Sequence, residues 1–250
     1  DESKIALELS DGIVLGKTPK LITCKTKLFN EKIVSPFYRN QSFTTEYNEA
    51  NLKFKGNFGI IFRVYNEGVA YRFYTTSKKN LEIKDEVAEF NFDKDYTTYL
   101  SHSTNKKEPF AMAFQNIYEV KSFSQGDSTL AFLPATIDFG NDKKLTILES
   151  DLESYPGMFL QIEKGKNSLN GVFAKLPSAF DYYPWRHQKY VTERTSVIAK
   201  TKGNRSYPWR VLAISENDAQ MPTNNLVYAL ASPNRIGDYS WINPGKSAWE

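Results

Sequence analysis

A chain of 250 residues, 40% hydrophobic, 14% aromatic and 24% charged, is long and apolar enough to bury one large core. Its net charge of +3 comes from 32 basic and 29 acidic residues scattered without a dense Lys/Arg block, which sets nucleic-acid partners aside; no apolar run is long enough to span a membrane. Cys24 is the lone cysteine, so an intrachain disulfide and a cysteine-based metal cluster are excluded as well.

The chain opens Asp1-Glu-Ser-Lys-Ile5 without methionine and without the basic and apolar regions of a signal peptide, as a processed or trimmed chain would. From there, apolar residues alternate with polar ones in short runs broken by Asn, Asp, Gly and Lys. This spacing predicts an all-β fold in one domain, with no sustained helical period. The first clear hairpin is Gly59–Tyr65 followed by Val69–Tyr74, joined through a loop Asn66-Glu67-Gly68 in which Gly68 supplies a positive φ. Val69, Tyr71 and Phe73 are expected on one face. A second hairpin is predicted from Thr136–Phe139 and Lys144–Leu148 around Gly140-Asn-Asp-Lys143, and a third from Met158–Glu163 and Gly171–Lys175. Thr195–Ala199 and Trp209–Ile214 read as strands, and Ser215–Asn225 as a loop with room for a short helical turn. Turns at these intervals fit a sandwich. The last twenty residues differ: Pro233, Gly237, Pro244 and Gly245 punctuate a segment carrying Trp241 and Trp249, apolar rings that need another surface to cover them.

His102 and His187 are the only histidines, which rules out a three-histidine zinc site, and neither sits in a recognisable metal spacing. Glu149, Asp151 and Glu153 alternate at the end of an apolar strand. If the strand turns at Pro156-Gly157 they can converge on a hard cation such as calcium, although three carboxylates alone are too few for its six to eight oxygens, and a solvated turn is the plainer reading. Tyr-Pro-Trp-Arg occurs twice, at Tyr183–Arg186 and Tyr207–Arg210. Aromatic faces stack on sugar rings and arginines donate to hydroxyls, which makes Trp185, Arg186, Trp209 and Arg210 candidate substrate-binding residues; packed aromatics with arginine ion pairs are the alternative. Motifs of triad hydrolases and nucleotide enzymes are absent from the sequence.

Several stretches occur together in an order that carries a resemblance: Gly68-Val-Ala-Tyr-Arg-Phe73, Glu149-Ser-Asp-Leu-Glu-Ser-Tyr-Pro-Gly-Met158, Arg205-Ser-Tyr-Pro-Trp-Arg-Val-Leu-Ala-Ile214, Asn224-Asn-Leu-Val-Tyr228, Ser232-Pro-Asn-Arg-Ile-Gly-Asp238 and Ser240-Trp-Ile-Asn-Pro-Gly-Lys-Ser-Ala-Trp-Glu250. The chain resembles the N-terminal domain of glycoside hydrolase family 97 along its whole length. The resemblance implies a large antiparallel super-β-sandwich like that of galactose mutarotase over residues 1–236. Residues 237–250 would then begin the linker to a catalytic (β/α)8 barrel of the same polypeptide, followed by a small β domain. It implies exo-acting α-glucosidases or α-galactosidases that act on oligosaccharides and are periplasmic or otherwise exported. The catalytic carboxylates would lie in the barrel, leaving none in this chain. Glu149 matches the glutamate that such domains lend to an active-site calcium. Two other roles are weighed beside this one. A mutarotase-like sugar epimerase needs His102 or His187 to meet a carboxylate in a cleft. A free-standing carbohydrate-binding module would use Tyr183, Trp185, Tyr207 and Trp209 as stacking platforms.

Overall fold

The computed structural model describes residues 2–35, 37–111, 116–185, 187–243 and 245–246. In chain order the strands are β1 Ile5–Leu9, β2 Val14–Leu15, β3 Leu21–Val34, β4 Ser42–Phe54, β5 Phe58–Tyr65, β6 Gly68–Thr76, β7 Leu81–Asn91, β8 Thr97–Leu100, β9 Glu119–Ser122, β10 Ala135–Gly140, β11 Lys143–Ser150, β12 Met158–Ile162, β13 Ser168–Phe173, β14 Pro177–Tyr182, β15 Lys189–Arg194, β16 Ala199–Thr201, β17 Asn204–Ser206 and β18 Trp209–Ser215. One short helix, α1 Leu226–Leu230, follows a 3-10 turn at Met221–Thr223.

All strand pairings among the described residues are antiparallel. The smaller of the two large sheets runs β12-β13-β7-β1-β2, with β16 also on β7; the larger runs β3-β4-β5-β6-β18-β11-β10-β8-β9, with β17 on β6. Among the described residues, β14 and β15 pair only with each other. The expected all-β sandwich is therefore the architecture observed. Its main core lies between the two sheets, where Leu7, Ile83, Phe73, Ile137, Ile147, Leu160 and Leu169 are buried.

The hairpins form where alternation and turn chemistry agree, with adjusted boundaries. The β5–β6 connection is a two-residue loop, Asn66-Glu67, because Gly68 at φ +149° already pairs with Tyr65 as the first residue of β6. The three-residue loop expected there is thus one residue too long. Tyr71 and Phe73 do share the inter-sheet face. At β10–β11, Asn141 and Asp142 both take positive φ, as a two-residue turn matched to strand twist requires. The strand expected over Thr195–Ala199 begins only at Ala199, where β16 joins β7.

Two features of this fold prepare the site. β18 is buried on both faces: Trp209, Val211 and Ala213 point away from the main core into a second apolar cluster roofed by Leu226, Ala229 and Leu230 of α1, while Arg210 points between the sheets. In β7, the register against β1 shifts so that Glu8 faces Asp85 but Leu9 faces Ile83, leaving Lys84 as the extra residue of a bulge. Side chains alternate across a strand, so Ile83 and Glu86 would point to opposite faces of an unbroken β7. The bulge re-phases the strand and sends Glu86 inward with Ala88 and Phe90.

Candidate functional site

Glu149 sits near the end of β11 directly opposite Arg210 of β18, which in turn faces Tyr71 of β6. Arg210 is 1% exposed and would be untenable there as a lone charge. Its Nε and Nη2 donate to Oε1 and Oε2 of Glu86, each at 2.8 Å, a bidentate fork that bridges the two sheets. Its Nη1 donates to Oε2 of Glu149, also at 2.8 Å, and the Met158 N–H donates to that same oxygen at 3.0 Å. The ring of Phe173 lies 5.0 Å from the guanidinium.

Burial opposes the Arg210 charge, but the Glu86 carboxylate, and then Glu149, hold it firmly protonated. Glu149 is instead pushed towards its neutral form: desolvation raises its pKa, and Arg210 and the Met158 amide offset only part of that. With both carboxylates ionised, one guanidinium and two carboxylates leave the cluster one negative charge in excess. Glu86 is 4% exposed and Glu149 18%, so the excess charge has its opening to the outside at Glu149. There, both hydrogen bonds made by the carboxylate among the described residues fall on Oε2, and Oε1 faces Gly157, where a Cβ would lie 3.2 Å from it.

The three alternating carboxylates do not converge. Asp151, at φ +60°, accepts from Arg72 Nη2 at 3.1 Å and from the Ser232 N–H at 3.0 Å, and Glu153 turns outward to Arg235 at 2.6 Å. Arg205 ties down the same turn by donating to the carbonyls of Glu153 and Ser154. Arg72, Asp151, Glu153, Lys200, Lys202 and Arg205 line an open cleft of about 550 Å³ beside it. Among the described residues no three His, Cys, Asp or Glu side chains are grouped to hold a metal, so any cation at Glu149 draws its other oxygens from elsewhere.

The two Tyr-Pro-Trp-Arg copies have opposite fates. Trp209 is 2% exposed, covered by α1 and flanked by the guanidinium groups of Arg63 and Arg72 at 4.9 and 4.8 Å; Tyr207 is equally buried, edge-on to Tyr155. Neither Trp209 nor Arg210 presents a face on which a sugar could stack, because β18 is covered on both sides. Trp185, by contrast, is 73% exposed at the tip of the β14–β15 hairpin, against Tyr183, which also packs on Tyr190. Phe180 and Tyr182 on the same hairpin are more than half exposed, with Lys189 over both rings. Arg186 lies outside the described residues, as does Trp249.

His102 contacts the Thr129 carbonyl through Nδ1 at 3.2 Å, and His187 is exposed on the hairpin. Neither is hydrogen-bonded to a carboxylate among the described residues, so the acid–base pair of an epimerase is not assembled by them. Sequence reasoning missed Glu86. A charged residue deep in a strand drew no attention because the bulge that turns it inward appears in the sequence only as a slip in alternation.

The fold is a two-sheet antiparallel sandwich with a buried arginine–carboxylate cluster that opens at one strand end. Comparison with known proteins places it further. The family model described as Glycosyl-hydrolase 97 N-terminal matches residues 1–233, and the chain belongs to that family. It is 36% identical to a retaining alpha-galactosidase of Bacteroides thetaiotaomicron over 99% of its own length and 38% of that protein, and 24% identical to a probable retaining alpha-galactosidase of Streptomyces bingchenggensis over 96% and 34%. Among solved structures, a glycoside hydrolase family 97 enzyme from Pseudoalteromonas sp. strain K8 in complex with acarbose superposes with a TM-score of 0.79 at 19% identity, covering 98% of this chain and 35% of that one. A beta-arabinopyranosidase reaches 0.65 at 18% identity, covering 87% and 35%. The chain thus spans little more than a third of the curated relatives it matches.

Proposed function

We propose that this chain is the non-catalytic N-terminal domain of an exo-acting, calcium-dependent α-glycosidase, an exported or periplasmic enzyme whose catalytic barrel follows in the same polypeptide and packs against the Glu149 end of the sandwich. Likeness to a retaining alpha-galactosidase along almost the whole chain favours α-galactosides as substrates. The observation that carries the reading is Glu149 itself: a part-buried carboxylate with Oε2 engaged, Oε1 without a hydrogen bond among the described residues, and a second carboxylate, Glu86, on the same arginine behind it. Such an oxygen suits a hard cation, and the glycine at 157 keeps it uncrowded. When bound, calcium would polarise a substrate hydroxyl as a Lewis acid. The chain's own part is to hold one ligand oxygen still and to shape one wall of the pocket. Trp185 supplies an exposed stacking face for the oligosaccharide.

In the enzyme extended through its catalytic region, Glu149→Gln is expected to weaken calcium binding by at least about tenfold, as loss of a direct ligand should exceed the effect of disturbing an outer partner. Titrating calcium into chelator-treated enzyme while following aryl α-galactoside hydrolysis checks this. An unchanged calcium requirement would remove Glu149 from the metal. For Trp185→Ala, KM for an α-galactosyl oligosaccharide should rise roughly three- to tenfold, the scale of one aromatic contact, with the thermal midpoint unmoved because the ring is solvent-exposed. Steady-state kinetics beside a thermal melt separates the two effects.

A further inference from the structure

We infer that Arg210, anchored from the opposite sheet by Glu86, is the positioning residue that presents Oε1 of Glu149 outward to a hard divalent cation. The inference rests on the calcium reading above and adds to it the device that aims the ligand.

A glutamate at a strand end has three rotatable side-chain bonds and, left to itself, samples many orientations. Here the options are removed from the inside. The Met158 amide and Arg210 Nη1 both converge on Oε2, which restrains the carboxylate and leaves Oε1, beside Gly157, without a hydrogen bond among the described residues. A lysine could not do the same. It offers a point charge on a flexible stem, whereas the guanidinium fork satisfies two carboxylates at once in one plane.

What stops the guanidinium from turning is Glu86, which takes two of its N–H groups in a bidentate pair and is itself buried. Glu86 reaches that place through the bulge at Lys84 in β7. The bulge, the buried pair and the strand-end glutamate therefore form one chain of support, running from the core of the smaller sheet to the rim of the larger. Gly157 completes it, because any side chain there would press on Oε1. Glu149 and Asp151 also divide the labour: Asp151 has both oxygens engaged by Arg72 and Ser232 and pins the turn, while Glu149 keeps one oxygen for an outside partner.

The experiment is calorimetric titration of calcium into chelator-treated, full-length enzyme carrying this domain, for the wild type, Arg210→Lys, Glu149→Gln and the double variant, with calcium-dependent turnover measured alongside. Arg210→Lys preserves charge, so a change in Kd reports geometry. The expected result is a Kd about 10- to 100-fold weaker, the usual effect of losing a group that orients a metal ligand, with maximal turnover restored at saturating calcium and no further loss in the double variant relative to Glu149→Gln. A residue that merely supports the fold would instead lower the active fraction at every calcium concentration and leave Kd alone. If Glu149→Gln weakens calcium and Arg210→Lys does not, the positioning role is wrong and the calcium reading stands. If Glu149→Gln leaves Kd unchanged, the calcium reading itself falls. Should Arg210→Lys fail to fold, Glu86→Gln probes the anchor with near-identical shape: weaker calcium binding is expected, and an unchanged Kd overturns the inference.

Discussion

Arg210→Met is expected to lower the stability of the sandwich by about 3–5 kcal/mol, the cost of stripping one partner from a buried ion pair. The methionine would fill much of the same volume, so the loss comes from what it leaves behind: Glu86, 4% exposed, with no countercharge, and Glu149 with only the Met158 amide. The pH dependence follows from that. Without the guanidinium, Glu149, already raised above the ordinary carboxylate range by burial, loses the positive charge that offsets part of that shift and rises further. A raised folded-state pKa contributes stability that is present below the unfolded value and disappears as pH rises through the folded one. The deficit relative to wild type should therefore be largest near neutrality and shrink on acidification towards the carboxylate range. Urea unfolding at several pH values measures it; a deficit that does not vary with pH would mean that the cluster is not what the arginine supports.

Gly68→Ala should cost about 2–5 kcal/mol, with two causes acting together. At φ +149° an L residue is strained by about 1–3 kcal/mol, and a Cβ would stand 2.1 Å from the Leu212 carbonyl oxygen and 2.8 Å from Leu226 Cδ1, adding an overpacking cost of similar size. Backbone cannot yield cheaply here, because β6 is clamped between β5 and β18. A shift in the urea midpoint at constant m-value would report the effect. Gly140→Ala makes a useful control, having positive φ but no neighbour within 4 Å of its Cβ, so only the strain should appear.

These sites also mark how far the sequence could be read. The β5–β6, β10–β11 and β12–β13 hairpins were legible because alternation and turn residues report the same thing, and because both are local. The long β3–β4 pair was not: β3 is exposed along most of its length, so no buried face imposes a period on its residues. Trp209 and Arg210 look from sequence like a ready sugar platform. Their burial depends on α1, five residues long and too short to show periodicity, arriving from beyond a polar loop to roof β18. Glu149 was legible only as one of three alternating carboxylates and through resemblance. What distinguishes it from Asp151 and Glu153 is which arginine each one meets, and those arginines come from β18, β6 and the segment after α1.

Among the described residues, the β14–β15 hairpin shares no ladder hydrogen bonds with either large sheet, and its tip carries their most exposed tryptophan. Its tip is thereby held only through the hairpin's own base, where Arg194 donates to the Lys175 carbonyl. Changes of length or side chain at its tip need not be compensated in the sandwich, whereas every residue of the arginine cluster is answerable to two sheets at once. One domain thus holds an interior tied to both sheets and an arm paired with neither, so that what the arm grips can be altered by substitution at its tip while the support beneath Glu149 stays the same.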